Sequence, residues 1–319
     1  MKKMFKLLGI IALAAVIGFA VTACKGDDDM LCGVCKQDPC KCNTAAPEGM
    51  VWVPAGSFTM GPDIWSIYYG GNGEETVEVT FSKGFYIGKY LVTQDLYETV
   101  METNPSYFHG GAGREPEEGE VQGKRPVEQV NWYHAIAFCN RLSILEGLTP
   151  VYSVEGISNT NAGAWLHTEV PTSNNATWNA VTADWTTNGY RLPTDAQWEF
   201  AARGGNSSEG YTYSGSNDVG EVAWYSANSG SKTHEVGKKA PNELGIYDMS
   251  GNLWEWCWDR YENYPSGPVT DYTGAVSGSF RVIRGGSWYD SAELAQSVGR
   301  IYDSPDGRDS TLGFRLVRP

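Results

Sequence analysis

From residue 50 onward, short runs of alternating apolar and polar residues are common, and stretches with a helical repeat are fewer. Met50-Val51-Trp52-Val53-Pro54 and Ser57-Phe58-Thr59-Met60-Gly61 read as two strands around a turn at Ala55-Gly56, and residues 85–90 read as a third. Thr93 is placed to cap a helix over Gln94 to Met101, with Leu96, Tyr97 and Val100 on one face. A second helix is predicted over Trp132 to Leu145, where Ala135, Ile136, Cys139 and Leu142 have helical spacing. Thr194 and Gln197 form a capping box for a third helix, which Gly204-Gly205 ends. Residues 102–125 read as polar loop, and residues 146–189 as hairpins and loops. An Asn/Gly turn and an aromatic strand follow over residues 241–259. In the last forty residues, 281–288 and 313–318 read as buried strands, with apolar residues alternating with Arg. Tyr289 to Leu312 shows neither period. It is rich in Asp, Ser, Gly and Tyr, and a long irregular segment between two strands is usually functional.

Composition sharpens this picture. The 12 Trp, 18 Tyr and 38 Gly, with only 19% charged residues, suit a loop-rich fold with aromatic-filled turns. A formal net charge of −14 without a basic stripe argues against a nucleic-acid partner. Lys2, Lys3 and Lys6 precede an apolar run over Leu7 to Ala20, which predicts a signal peptide over residues 1–23. The run ends in Val21-Thr22-Ala23-Cys24, which resembles a bacterial lipobox, so Cys24 is expected to be acylated and to anchor the chain in a membrane. The alternative is a plain secretory signal. Residues 24–49 read as a tether carrying Cys32, Cys35, Cys40 and Cys42, which suit two short disulfides or one tetrahedral zinc site. Cys139 and Cys257 lie in apolar patterns, as core thiols do.

Together, residues 50–61, 85–93, 125–142, 190–204, 242–256 and 281–288 resemble the formylglycine-generating enzyme, or sulfatase-modifying factor, family, in the family's order across a domain of residues 50–319. The resemblance implies an α+β, loop-rich variant of the C-type lectin fold, with short helices around small antiparallel sheets. It does not fix an activity, because such folds host several. The family's oxidase holds copper and the substrate thiol with two cysteines after the Gly-Gly-Ser-Trp turn. The corresponding places fall at about Asp290 and Ala295, which supply no thiolate, so no copper is expected. His109, His134, His167 and His234 lack ligand spacing, so no iron is expected either. The family's calcium loop corresponds to Asp248, Gly251, Leu253 and Glu255, which would offer two carboxylates and two carbonyls. The alternative is that Asp248 caps the turn and Glu255 pairs with an Arg. No catalytic constellation stands out.

The terminal frame of Arg-Val-Ile-Arg-Gly-Gly-Ser-Trp, Ala292-Glu293, Arg300, Ser304-Pro305-Asp306, Arg308 and Leu312-Gly313-Phe314-Arg315 resembles the variable proteins of diversity-generating retroelements, treponemal surface lipoproteins among them. The resemblance implies a variable region over about 281–319. Its varied positions would be Tyr289, Asp290, Ser291, Leu294, Gly299, Ile301, Tyr302, Asp303, Gly307, Asp309, Ser310 and Thr311. Such diversification excludes Glu, Gln, Lys, Met and Trp, and none of these twelve positions carries one. Arg284, Trp288, Arg300, Pro305, Arg308 and Phe314 are expected to fix the loop, with Tyr289, Tyr302 and Asp303 at the centre of the exposed patch. The implied function is a lipid-anchored protein of the outer membrane or cell surface that binds a protein or other macromolecular ligand on another cell or host. Two alternatives stay open: a metal-dependent oxidase or non-heme iron enzyme of this family, and a structural lipoprotein without a diversified site.

Overall fold

The computed structural model describes residues 46–62, 73 and 75–319. The expected signal peptide, Cys24 and the four cysteines of the expected tether lie outside the described residues. The strands are β1 (Met50–Val53), β2 (Gly56–Met60), β3 (Val77–Phe81), β4 (Phe85–Gly88), β5 (Tyr152–Ser153), β6 (Thr182–Ala183), β7 (Trp254–Arg260), β8 (Val269–Thr270), β9 (Arg281–Arg284), β10 (Arg300–Asp303), β11 (Leu312–Gly313) and β12 (Val317–Arg318). The helices are α1 (Gln94–Met101), α2 (Trp132–Leu145), α3 (Ala176–Asn179), α4 (Asp195–Ala202) and α5 (Val219–Val222).

The strands form sheets in the orders β1-β4-β12, β2-β3-β8, β10-β9-β7-β11 and β5-β6. The third of these positions the terminal region. Because side chains alternate across a strand, Trp256 and Ile283 enter one hydrophobic core while their neighbours Cys257 and Val282 enter another. The first core gathers around α2 and the second around α4.

The two helices with predicted caps start at them, and a third is capped by Asn131. The Thr93 side chain accepts from the Leu96 N–H, Asn131 caps α2 through the His134 N–H, and Thr194 and Gln197 form the capping box of α4. Faces differ from expectation in two helices. Leu96 is 38% exposed, and α1 packs through Tyr97, Val100 and Met101 instead. Every residue of α2 from Trp132 to Ser143 is buried, so this helix is central rather than one-sided. Its buried Asn140 is satisfied internally, as burial requires, bonding the Tyr152 backbone in both directions.

Three strand expectations change. The Ala55-Gly56 turn does not join a hairpin, because β1 pairs with β4 and β2 with β3. Residues 313–318 split between two sheets, β11 running parallel to β7 and β12 antiparallel to β4. Residues 289–312 are not wholly irregular: Ala292–Ala295 is a 3-10 turn, and β10 pairs antiparallel with β9, Arg300 opposite Arg284 and Tyr302 opposite Val282.

Candidate functional site: the terminal loop and its base

The loop after β9 rests on buried arginines. Arg284 is fully buried, with Nε 2.5 Å from Asp195 and Nη2 2.9 Å from Glu199, both on α4. Its Nη1 donates to the Val298 and Gly299 carbonyls, so the same side chain holds the loop backbone. Arg300 shares Asp195 at 2.7 Å and lies 4.3 Å over the Tyr261 ring. Burial alone would raise the Asp195 pKa, but Arg284 and Arg300 hold it below its ordinary value. Beside it, burial and then Asp195 push Asp259 up to about 7.

The loop turns sharply at Gly285 and Gly286, both at positive φ, and a Cβ on Gly286 would come within 3.0 Å of the Leu294 backbone. Trp288 then clips the two loop ends together. Its Nε1 donates to the Ser310 carbonyl at 2.9 Å, and the Trp254 N–H donates to the Thr311 carbonyl at 2.8 Å. This ring is half-buried rather than buried. Phe314 and Pro305 are buried as expected; Arg308 is exposed and does not fix the loop by packing.

The expected variable positions fall into groups. Tyr289, 70% exposed, stands against Trp288. Through Trp288 it is brought to the Asp309–Thr311 end, where Asp309 is exposed and Ser310 and Thr311 are half-buried. Ser291 is exposed, and Leu294 and Gly307 are half-buried. Ile301, Tyr302 and Asp303 form a second group on β10. Tyr302 is not an exposed centre: its ring packs 4.6 Å from both Tyr261 and Phe280. Asp290 closes the loop turn by accepting from the Ser287 N–H and hydroxyl, and burial raises its pKa. Gly299 is buried, and a Cβ there would lie 2.8 Å from the Leu294 carbonyl oxygen. Close backbone packing therefore removes it from the positions that can vary freely.

Residues outside the terminal stretch complete this face. Phe108 meets Trp288 edge-on at 5.3 Å, Tyr107 meets Phe108 at 5.0 Å, and the Arg114 guanidinium lies 3.8 Å over Tyr107. Buried Glu128 receives the Tyr107 and Phe108 N–H groups at 2.9 and 2.8 Å, and burial pushes its pKa up to about 7. The aromatic pair inside an otherwise polar run was the available sequence signal for this neighbour.

At the 248–255 turn, Glu255 is committed. Its carboxylate accepts from Arg315 Nε at 2.6 Å and Nη2 at 2.7 Å, and from Trp198 Nε1 at 3.0 Å. That is the alternative given for Glu255 above, and it leaves the full four-donor calcium set unmatched. Asp248 remains buried, accepts from the Gly237 N–H, and is raised by burial to about 6. Cys139 and Cys257 are buried, with thiol pKa values raised by burial. Among the described residues no three His, Cys, Asp or Glu side chains converge as a metal site.

Comparison with known proteins agrees with this geometry. Residues 36–319 match the model of the sulfatase-modifying factor enzyme 1-like domain. The chain is 37% identical over 297 residues to the chaperone protein LppX of Paenibacillus barcinonensis, covering 86% of this chain and 91% of that protein. It is 26% identical over 296 residues to the formylglycine-generating enzyme of Streptomyces coelicolor, covering 84% and 88%. Among solved structures, Treponema denticola variable protein 1 superposes with a TM-score of 0.76 at 44% identity, covering 85% and 95%. The α+β fold of short helices and small sheets is therefore C-type lectin-like, and the chain belongs to the family of the sulfatase-modifying factor enzyme 1-like domain.

Proposed function

We propose that this domain displays a diversified binding loop for a macromolecular ligand, most simply a protein, on a chain lipid-anchored at Cys24 to the outer membrane or cell surface. The observation that carries the reading is the division of labour around Trp288. The loop backbone is held by Arg284, Trp288 and Trp254, none of them a varied position, while Tyr289, Ser291 and Asp309 reach solvent. Side chains can then change on a backbone that stays ordered, which keeps the entropy cost of binding small. The likeness to a protein named as variable, and to one named as a chaperone, supports a binding role over an oxidase.

The test is a mutant series read by melting and by ligand capture. Tyr289→Ala is expected to shift stability by no more than ~0.5 kcal/mol, as exposed substitutions do, while abolishing capture. Tyr302→Ala is expected to cost about 1–2 kcal/mol for its two ring contacts. Trp288→Ala is expected to cost about 2 kcal/mol, from the half-buried ring and the lost bond to Ser310. Equal destabilisation by Tyr289→Ala and Trp288→Ala would make the loop core structure and end the display reading.

The anchor has its own test. Cys24→Ala is expected to move the protein from the detergent phase to the aqueous phase on partitioning; unchanged partitioning counts against acylation. A structural calcium belongs to the proposal in reduced form, with Asp248 and the Gly251 and Leu253 carbonyls as donors. Calcium added to chelator-treated protein is then expected to raise Tm by mass action, and Asp248→Ala to remove the rise. A parent protein indifferent to calcium leaves the turn to its hydrogen bonds.

A further inference from the structure

A cleft of about 380 Å³ opens beside the β10 group. Its lining includes Asn174, Asn179, Arg260, Ser279 and Phe280, with Ser304 and Pro305 on one lip. Apart from that lip it lies outside the terminal region, and the lip belongs to the frame rather than to the varied positions.

Arg260, the last residue of β7, distinguishes the cleft. Its Nη1 donates to the Gly278 carbonyl at 2.6 Å and its Nη2 to the Asn179 carbonyl at 2.7 Å. A guanidinium has five N–H donors, so three remain, and bonds to neutral carbonyls leave the charge in place. Buried Arg284, Arg300 and Arg315 each have a carboxylate partner; among the described residues Arg260 forms no ion pair. Arg281 lies close by, its pKa pushed down to about 9 by burial first and the Arg260 charge second. Asp259 acts on Arg281 in the opposite sense, so what sets the cleft apart is the unpaired Arg260 guanidinium rather than a local excess of charge.

The remaining polar groups point the same way. The Asn179 side chain spends its oxygen on the Tyr133 hydroxyl and an N–H on Asn174 Oδ1, so both amide oxygens are occupied. What the lining still offers is chiefly donors: Asn174 Nδ2, Arg260 and the Ser279 hydroxyl. The acids near the rim are Asp306, engaged by the Ser304 hydroxyl, and exposed Glu262. The volume lies within the range of small-ligand pockets, roughly 300–1,000 Å³, and exceeds the needs of a bare ion. Phe280, 43% exposed, offers an apolar ring for a methylene stem.

We propose that this cleft receives an acidic side chain, Asp or Glu, of the protein ligand held by the diversified face. The inference rests on the display reading and adds to it a constant contact. Arg260 would give every variant the same charged foothold, while the varied positions discriminate among partners.

The experiment titrates the full domain with N-acetylglutamate N-methylamide and follows the Arg260 Nε–H and the Ser279 amide by NMR. A saturable shift is expected, at least tenfold weaker with the glutamine counterpart. Arg260→Gln is expected to lose the response at Ser279. Ser279→Trp, which fills the cleft and keeps Arg260, is expected to lose it at Arg260. Equal binding of the glutamate and glutamine probes, or undiminished binding in Ser279→Trp, would overturn the proposal. Glucuronate binding more tightly than the glutamate probe overturns the protein source. Tyr289→Ala is expected to leave probe affinity unchanged. A domain that takes the probe but captures no protein counts against the display reading alone.

Discussion

Arg284→Ala is expected to lower the unfolding free energy by about 3–5 kcal/mol, the usual cost of removing one partner from a buried ion network. Asp195 and Glu199 are both buried, and both would lose a direct bond to the guanidinium. Asp195 would keep Arg300, and Glu199 would keep Arg203 and the Gly61 N–H. The alanine also leaves a void where a fully buried side chain stood and strips a donor from the Val298 and Gly299 carbonyls. Urea unfolding measures the first effect. Amide hydrogen exchange across residues 296–301 measures the second, and faster exchange there is expected. A loss below about 1 kcal/mol would mean that the network is not what holds α4 to the terminal loop.

Stability is expected to be greater near pH 5 than near pH 8, by about 3 kcal/mol from Glu128 alone, taking ~1.4 kcal/mol per pKa unit. Glu128 is fully buried; burial raises its pKa from 4.5 to about 7, against the two N–H groups that favour its charged form. A carboxyl with a raised folded-state pKa contributes stability that is full below its unfolded value and is lost as pH rises through its folded value. Asp248, raised to about 6, and Asp259, raised to about 7, act in the same direction. Asp195 and Glu120 are lowered, and their contribution is lost only as pH falls below the ordinary carboxylate range. Buried His134, pushed down to about 3, and His167, also lowered, act the other way in this window, because a histidine held neutral by burial costs stability as pH falls below its ordinary value; the three raised carboxyls outweigh them. Melting at pH 5, 6.5 and 8 checks this, and Glu128→Gln is expected to flatten the profile; an unchanged profile would remove Glu128 as its source.

What the sequence disclosed was mostly local. Thr93 and Thr194 each fix a helix start through a bond three residues away, and such signals survive without any knowledge of the fold. The frame of the terminal loop was legible because Arg284, Pro305 and Phe314 are specific residue types at specific places. Burial was less legible. Leu96 looks like a core residue by spacing, yet the core passes it on the Met101 side. β10 was hidden because Arg300-Ile301-Tyr302-Asp303 owes its strand to pairing with β9 and to Asp195, a residue more than a hundred positions earlier. Gly299 resembled a varied position until the Leu294 carbonyl was placed against it. Tyr107, Phe108 and Glu128 joined the face only through Trp288, a meeting no spacing rule encodes.

The sheet β1-β4-β12 has a mechanical consequence. Met50 pairs with Gly88, the Gly88 N–H donates to the Leu316 carbonyl, and the Gly88 carbonyl accepts from Arg315 Nη1. A single glycine thus joins the first strand of the domain to the residues that close the terminal loop. A bound partner pulling on that loop, against a hold at residue 50, would load these backbone-level bonds before either hydrophobic core. Single-molecule pulling between those two points would therefore probe the β1–β4 ladder and the Arg315 bonds, and the force at rupture would report the strength of that joint.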